Sequence, residues 1–571
     1  MTPPIPQLTL LQYETQYRER HLLHGVIDYW AARKPGEPAI IHHDRGITDT
    51  WAALERDSRA LAMQLLHLGF RKGDFLAASL PFTREHILLE YACFRIGVIH
   101  APLDLRVSGA DVVNSVRQLQ ARGYAFPGKT RAADFRELGR AVQRHCPSAQ
   151  ILIQCSPAEE TLGGAHSFAH IAQRAAAPTS DLREALLEAG AAVHEKDGAQ
   201  VIFTTGSTGA PKPALLTHRS ITTQNMCLAA AFFETGRRVL VNLPPSHVGG
   251  QAELLMTTLF CGGTAVVLEM FDARRSLEAI QEHGVHLLGQ IPAMFQLESR
   301  LADYGTYDLS SLGAAVYGGQ AVARPFLEEL GGMAPRVGTG LGLTEASGFC
   351  TYTALTGDLD EAGGSLGYDM PVYRMSIRAE MREDGAAGSE LPDGECGYVC
   401  FEGPQTFAGY VKDPAATRRT VSTDGILYTG DLGYRDARRL RLAGRSSWVV
   451  KPRGYRVFPA QVEEHFARLA EQVAACGVVG AGHALFGEAM VAFVEKRSGA
   501  GLTVAELKRH ARSLTAYLRP SHYVILEPGG LPLNRVAKTD YVRLAEMARQ
   551  EVARLRSQGK WDRAGDDEPG E

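Results

Sequence analysis

The sequence predicts an α/β protein: a large, multi-subdomain N-terminal domain with parallel sheets, followed by a small, mobile C-terminal α+β domain. Three observations carry this. The chain has 571 residues, 45% of them hydrophobic and 22% charged, more than one core holds at about 100–200 residues per domain. Strand-like and amphipathic helix-like pieces alternate through the N-terminal half, the pattern of βαβ units around a parallel sheet. After about Gly367 that texture gives way to short strands joined by turns, and then to a compact α/β stretch.

Taken in order, Ala52–Leu68 reads as a helix, with Leu54, Leu61, Leu65 and Leu68 on related faces. Asp74–Leu80 reads as a strand, Arg84–Ile96 as a helix and Val98–Pro102 as the next strand. The strand pattern returns at Val239–Leu243, Ala265–Leu268 and Leu309–Gly318. The most apolar stretch, Leu254–Cys261, ends at Gly262-Gly263 and is expected to be buried. Short strands follow at Gly394–Glu402, Gly425–Gly433 and Leu440–Leu442. The closing unit reads as strands at Val473–Val479 and Ala489–Glu495, a helix at Thr503–Leu518 and a strand at His522–Leu526. A hinge is expected near Gly444–Val450, giving domains 1–445 and 446–558 and a disordered acidic tail, 559–571.

Composition narrows the function. Sixty Lys and Arg against 64 Asp and Glu leave a net charge of −4, which argues against a dedicated nucleic-acid binder. The nine cysteines are scattered and odd in number, the usage of reduced thiols in the cytoplasm. Cys396 and Cys400 read as structural. The N-terminus lacks a basic region followed by an apolar run, and no 18-residue apolar run exists, so neither a secretory signal nor membrane insertion is expected. A homodimer remains open.

The chemistry starts at a glycine loop. Val201-Ile-Phe-Thr-Thr205 reads as a strand and runs into Gly206-Ser-Thr-Gly-Ala-Pro-Lys212. Glycines expose backbone N–H groups to a polyanion, Ser207 and Thr208 add hydroxyls, and Lys212 adds a mobile positive charge. The spacing is not that of the GxxxxGK[ST] loop, since Pro213 follows Lys212. Further segments follow in order: Ala101-Pro-Leu-Asp104, Pro244–Gly250, Gly318-Gly-Gln-Ala321, Leu341-Gly-Leu-Thr-Glu345, Tyr428-Thr-Gly-Asp431, Gly444-Arg445 with Lys451 and Gly454, and Leu531–Lys538. As an ordered set, from about His21 to Arg543, they resemble the adenylate-forming superfamily, which includes acyl- and aryl-CoA synthetases.

The resemblance implies roles. Thr204, Thr205, Gly206, Ser207, Thr208, Gly209 and Lys212 would meet ATP phosphates; Gly318, Gly319 and Gln320, with Leu341 and Gly342, would meet adenine. Thr344 would contact phosphate and Glu345 would hold Mg²⁺; Asp431 would clamp the ribose hydroxyls, with Arg445 close by. Lys538 is the strongest catalytic candidate, an ammonium able to touch the attacking carboxylate and the α-phosphate together. Lys451 and Gly454 match a segment that moves in for thioester formation. The chain departs from the family pattern at Leu341, where an aromatic residue is usual, at Ser447, where a charged hinge residue is usual, and at Ala537, where glycine is usual.

The implied reaction has two halves. A carboxylate attacks the α-phosphorus of MgATP, giving an acyl-adenylate and pyrophosphate; a thiol then displaces AMP. The thiol would belong to coenzyme A or, as the alternative, to the phosphopantetheine of an acyl carrier protein. A non-catalytic protein that retains the fold is a third reading. The acid pocket would be lined by His247, Gly249, Tyr317, Leu341 and Ala346, with Arg374 and Arg378 in reach of a second carboxylate. Neutral His247 stands where amino-acid-activating relatives carry an aspartate, which favours an acyl, aryl or dicarboxylic acid.

Overall fold

A computed structural model describes residues 5, 8–130, 134–156, 160–175, 178–204, 211–319, 322, 324–445, 449–450, 452, 457–533 and 539–562. Two large sheets dominate the N-terminal part. The eight-stranded sheet runs, in spatial order, Gly409–Tyr410, Lys212–Thr217, Gly198–Thr204, Ile99–Pro102, Phe75–Ala78, Gly123–Pro127, Ile151–Cys155 and His166–Ser167. Its neighbours are parallel except around Lys212–Thr217, which is antiparallel to both flanking strands. The seven-stranded sheet runs Val337–Thr339, Ala314–Tyr317, Leu287–Gln290, Arg238–Val241, Thr264–Val267, Pro38–His42 and Ile47–Thr50. Only its last strand is antiparallel to its neighbour.

Local chemistry sets where the helices between these strands begin. Thr50 accepts from the Ala53 N–H ahead of helix Trp51–His67, and Thr83 from His86 ahead of Arg84–Arg95. Thr217 caps His218–Phe232 and Asp272 caps Ala273–His283. Each satisfies an N–H that the first helical turn leaves unpaired, worth about 1 kcal/mol. The strands between the helices are buried on both faces, as parallel strands covered by helices are. One continuous core passes from Trp51, Leu54 and Phe94 to Met226, Val241 and Phe401.

A four-stranded antiparallel sheet follows, Arg374–Arg378, Gly397–Glu402, Leu427–Asp436 and Arg439–Arg445. The C-terminal unit is a three-stranded sheet: Val473–His483 antiparallel to Gly487–Lys496, which is parallel to His522–Leu526. Helices Pro459–Ala467 and Val504–Ala511 belong to one of its apolar clusters and helix Tyr541–Ser557 to the other.

Two elements differ from expectation. The strand expected over Leu309–Gly318 is confined to Ala314–Tyr317, because the Asp308 carboxylate accepts from the Ser310 N–H and the Ser311 hydroxyl donates to the Val285 carbonyl, folding 308–311 into a turn. The helix expected over Thr503–Leu518 ends at Ala511 and resumes only as a single 3₁₀ turn at Ala516–Leu518. There the Ser513 hydroxyl donates to the His510 carbonyl, and Pro520 follows shortly. None of the nine cysteines is in a disulfide; Cys400 is buried and Cys396 exposed. Among the described residues, no helix is long and apolar enough to cross a membrane.

Candidate functional site

The glycine segment joins two registered strand ends. Gly198–Thr204 and Lys212–Thr217 pair antiparallel, with Thr204 opposite Lys212. Thr205, Gly206, Ser207, Thr208 and Gly209 lie between them, outside the described residues. Lys212 is held by its strand so that its ammonium sits 5.3 Å from the centre of the Tyr410 ring, within cation–π reach. Tyr410 comes from the neighbouring strand, opposite Ala214. Its hydroxyl donates to Glu345 Oε1 at 2.5 Å. Burial, and then the Glu345 charge, push the Tyr410 phenol well above its ordinary range, so it stays a donor. The Glu345 carbonyl also accepts from the Phe407 N–H at 2.9 Å. Lys212 and Glu345, far apart in sequence, thus flank one tyrosine.

Glu345 belongs to a 3₁₀ turn, Thr344–Ala346, that joins the paired strands Gly342–Leu343 and Gly348–Phe349. Ser347 completes the turn at φ 59°, a left-handed conformation that a non-glycine residue adopts at a cost. Its hydroxyl donates to the Gln405 carbonyl at 3.0 Å, which holds it there. Leu341 is partly buried; its N–H donates to Thr351 Oγ1 at 2.8 Å and its carbonyl accepts from Cys350 N–H. Ala346 is fully buried. The carboxylate of Glu345 is a hard oxygen donor that shares Tyr410 with Lys212, a lysine able to meet the same polyphosphate, and such a donor fits Mg²⁺.

Strand Ala314–Tyr317 ends the seven-stranded sheet's run into Gly318 and Gly319, and Gly319 has φ 93°, a conformation open to glycine. The carboxyl ends of parallel strands are where open α/β sheets bind ligands. Gln320 lies outside the described residues. The side chain of Tyr317 is engaged in packing: its ring meets Phe326 edge-on at 5.8 Å and its hydroxyl donates to the Ala362 carbonyl. Asp431 is buried on strand Leu427–Asp436, opposite Arg445. Its N–H donates to Thr429 Oγ1 at 3.0 Å, and Thr429 donates to the Val399 carbonyl, across the strand irregularity at Gly430. Lys451, Gly454, Ser447, Ala537 and Lys538 fall outside the described residues.

The acid-pocket candidates gather on an unusual turn. Gly249–Met256 is π-helical, a form that recurs at functional sites because it turns side chains out of the α-helical register. Exposed His247 accepts the Gly249 N–H on Nδ1 at 3.0 Å, so the neutral ring carries its proton on Nε2. Glu253 reaches from this turn to the hairpin that carries Glu345. A β-carbon on Gly342 would lie 3.0 Å from Glu253 Oε1, and one on Gly249 3.3 Å from Oε2. Burial lifts Glu253 to about 8, against a partly offsetting hydrogen bond from the Phe349 N–H. Arg374 and Arg378 are engaged elsewhere: Arg374 bonds Glu390 and Glu402, and Arg378 bonds Ser376 and the Gly388 carbonyl.

Behind the π-helical turn lies a fully buried polar network. Gln251 bonds His86 across 3.0 Å, and Glu90 accepts from Gln200 at 2.7 Å and faces His100 at 3.2 Å. Burial holds His86 and His100 down to about 3 and lifts Glu90 to about 7. Tyr410 and Glu253 were not singled out by sequence reasoning. A carboxylate placed directly before the most apolar stretch of the chain was the available signal for Glu253; Tyr410 carried none.

Comparison with known proteins gives the family of the chain. The model of the AMP-binding enzyme family matches residues 27–411, and that of the AMP-binding enzyme C-terminal domain matches residues 461–538. The chain is 26% identical over 524 residues to 4-coumarate–CoA ligase 5 of Oryza sativa subsp. japonica, covering 88% of this chain and 90% of that one. It is 24% identical over 580 residues to the mitochondrial medium-chain acyl-CoA ligase of Rattus norvegicus, covering 96% and 92%. The fold is shared with ATP-bound MatB from Rhodopseudomonas palustris, at a TM-score of 0.79 and 21% identity over 93% of this chain and 99% of that one. With both family models matched, in order, over most of its length, the chain belongs to the AMP-binding enzyme family.

Proposed function

We propose that the chain is an ATP- and Mg²⁺-dependent carboxylic acid–CoA ligase that works through an acyl-adenylate. The observation that carries the reading is the gathering of Lys212, Tyr410 and Glu345 where the glycine segment returns to its sheet. That cluster suits a magnesium-bound polyphosphate. CoA ligases among the curated relatives, matched over nearly their whole length, support the thiol acceptor.

In the first half-reaction a substrate carboxylate oxygen bonds to the α-phosphorus of ATP and the bond to pyrophosphate breaks. Lys212 and the glycine segment would offset phosphate charge, Thr344 would contact phosphate, Glu345 would hold the metal, and Asp431 would orient the ribose. Bound Mg²⁺ would neutralise phosphate charge. Lys538 would bridge the attacking and phosphate oxygens. In the second half-reaction the CoA thiolate attacks the acyl carbon and AMP leaves. The chain would divide near residue 445 into a nucleotide- and acid-binding body and a lid that rotates between the halves, carrying Lys451 and Gly454 toward the thioester step.

The test is carboxylate-dependent exchange of labelled pyrophosphate into ATP over aryl, fatty and dicarboxylic acids. AMP release with coenzyme A is then compared with release on a phosphopantetheinylated carrier protein. Exchange with at least one acid and faster release with coenzyme A are expected. A folded protein that exchanges with none of a broad panel would sink the reading.

A further inference from the structure

Three glycines lie against the side chain of Glu253, which sits on the turn that carries the acid-pocket candidates. Besides the contacts of Gly249 and Gly342, a β-carbon on Gly348 would lie 2.8 Å from Glu253 Cγ and 3.0 Å from its Oε1. Gly348 also has φ 129°, so a side chain is refused there on two counts. The same point on Gly348 lies 3.0 Å from Gln224 Nε2. Gln224 is fully buried, its Oε1 accepts from Asn225, and its Nε2 has no hydrogen-bond partner. An unmet buried donor destabilises the fold, and a ligand that meets it relieves that cost.

Resting on the ligase reading above, we propose that Glu253 is a specificity-determining residue that selects carboxylic acids bearing a further hydroxyl or amino group. Such a group both donates and accepts, so it answers the Glu253 carboxyl and the Gln224 N–H together. A plain hydrocarbon tail would leave the Gln224 N–H unmet and the Glu253 carboxyl with the Phe349 N–H alone. A second carboxylate would bring negative charge to a cradle of glycines, an amide and Phe349, while Arg374 and Arg378 are held by other partners. Burial, which already favours the protonated form of Glu253, opposes that added charge further.

The experiment measures kcat/KM of pyrophosphate exchange for matched acids on the full chain: benzoic, cinnamic and hexanoic acids, their hydroxy- and amino-substituted counterparts, and dicarboxylic acids of similar length. The substituted member of at least one set is expected to exceed its parent by tenfold or more, since polar sites reject analogues that leave them unpaired. Glu253→Leu should collapse that ratio, and Glu253→Gln should keep most of it. A preference for unsubstituted or dicarboxylic acids, or a ratio unchanged in Glu253→Leu, overturns the proposal and leaves the ligase reading standing. Absence of exchange with every acid instead removes the ligase reading, and this proposal with it. The wild-type ratio is decisive even if Glu253→Leu fails to fold.

Discussion

Tyr410→Phe isolates one hydroxyl at the centre of the phosphate cluster. The ring that faces Lys212 at 5.3 Å remains, as do the strand pairing with Ala214 and the Tyr410 N–H bond to Thr417 Oγ1. What is lost is the 2.5 Å bond to Glu345 Oε1. A hydrogen bond to a charged group contributes about 1.5–3 kcal/mol, and each 1.4 kcal/mol is tenfold in rate, so a loss of roughly 10- to 100-fold is the ceiling. Because the bond positions the carboxylate assigned to the metal, the loss should appear as a higher half-saturating Mg²⁺ concentration and a lower kcat/KM for exchange. The assay is a Mg²⁺ titration of pyrophosphate exchange at saturating acid, beside a thermal melt. An unchanged melt with kcat/KM and Mg²⁺ dependence both within twofold of wild type would refute the assignment of Tyr410 as the support of Glu345.

Three further outcomes are expected. Lys538→Ala should lower acyl-adenylate formation by about 10²–10³-fold, the scale of a lost transition-state contact, while ATP affinity by equilibrium binding changes little; unaltered pyrophosphate release would remove its role. Asp28→Ala should cost about 3 kcal/mol, read as an earlier urea transition, because it strips the bidentate partner from nearly inaccessible Arg95, whose guanidinium meets Asp28 at 2.7 and 3.0 Å. Glu298→Gln should stabilise at high pH. Glu298 is buried, one oxygen accepts from Gln290 at 2.8 Å and the other has no partner, and burial lifts the carboxyl from 4.5 to about 8. Between those values the native state holds a proton that the unfolded state has released, so this group's contribution falls as pH rises, by about 1.4 kcal/mol per unit. The gain from Glu298→Gln should therefore grow from pH 5 to pH 8 in denaturant melts; a gain that is flat or shrinks with pH contradicts the shift.

Much of the architecture was legible locally. Strand His522–Leu526 and the helix starting at Arg84 fall where period and capping place them, since both signals lie within a few residues of the element. The helix read through Thr503–Leu518 failed for the converse reason: a serine back-bond and a nearby proline interrupt an otherwise helical pattern. The candidate site was legible as a set of ordered motifs. Its supports were not. Tyr410 is an ordinary Gly-Tyr pair until the sheet sets it beside Lys212, and Glu253 is an ordinary acid until a π-helical turn aims it at the glycine hairpin.

The sequence by itself determined the α/β class, the glycine segment and the order of the polar motifs, because these rest on neighbours in the chain and on backbone freedom at particular residues. Only the tertiary structure decided that Pro38–His42 joins the seven-stranded sheet beside Thr264–Val267, while Gly198–Thr204 joins the eight-stranded one beside Ile99–Pro102. It alone decided that Tyr317 packs inward against Phe326, and that Glu253 and Gln224 both lie against Gly348. Those outcomes depend on contacts between segments remote in sequence, where burial and the pairing of polar atoms, not local preference, set the free energy.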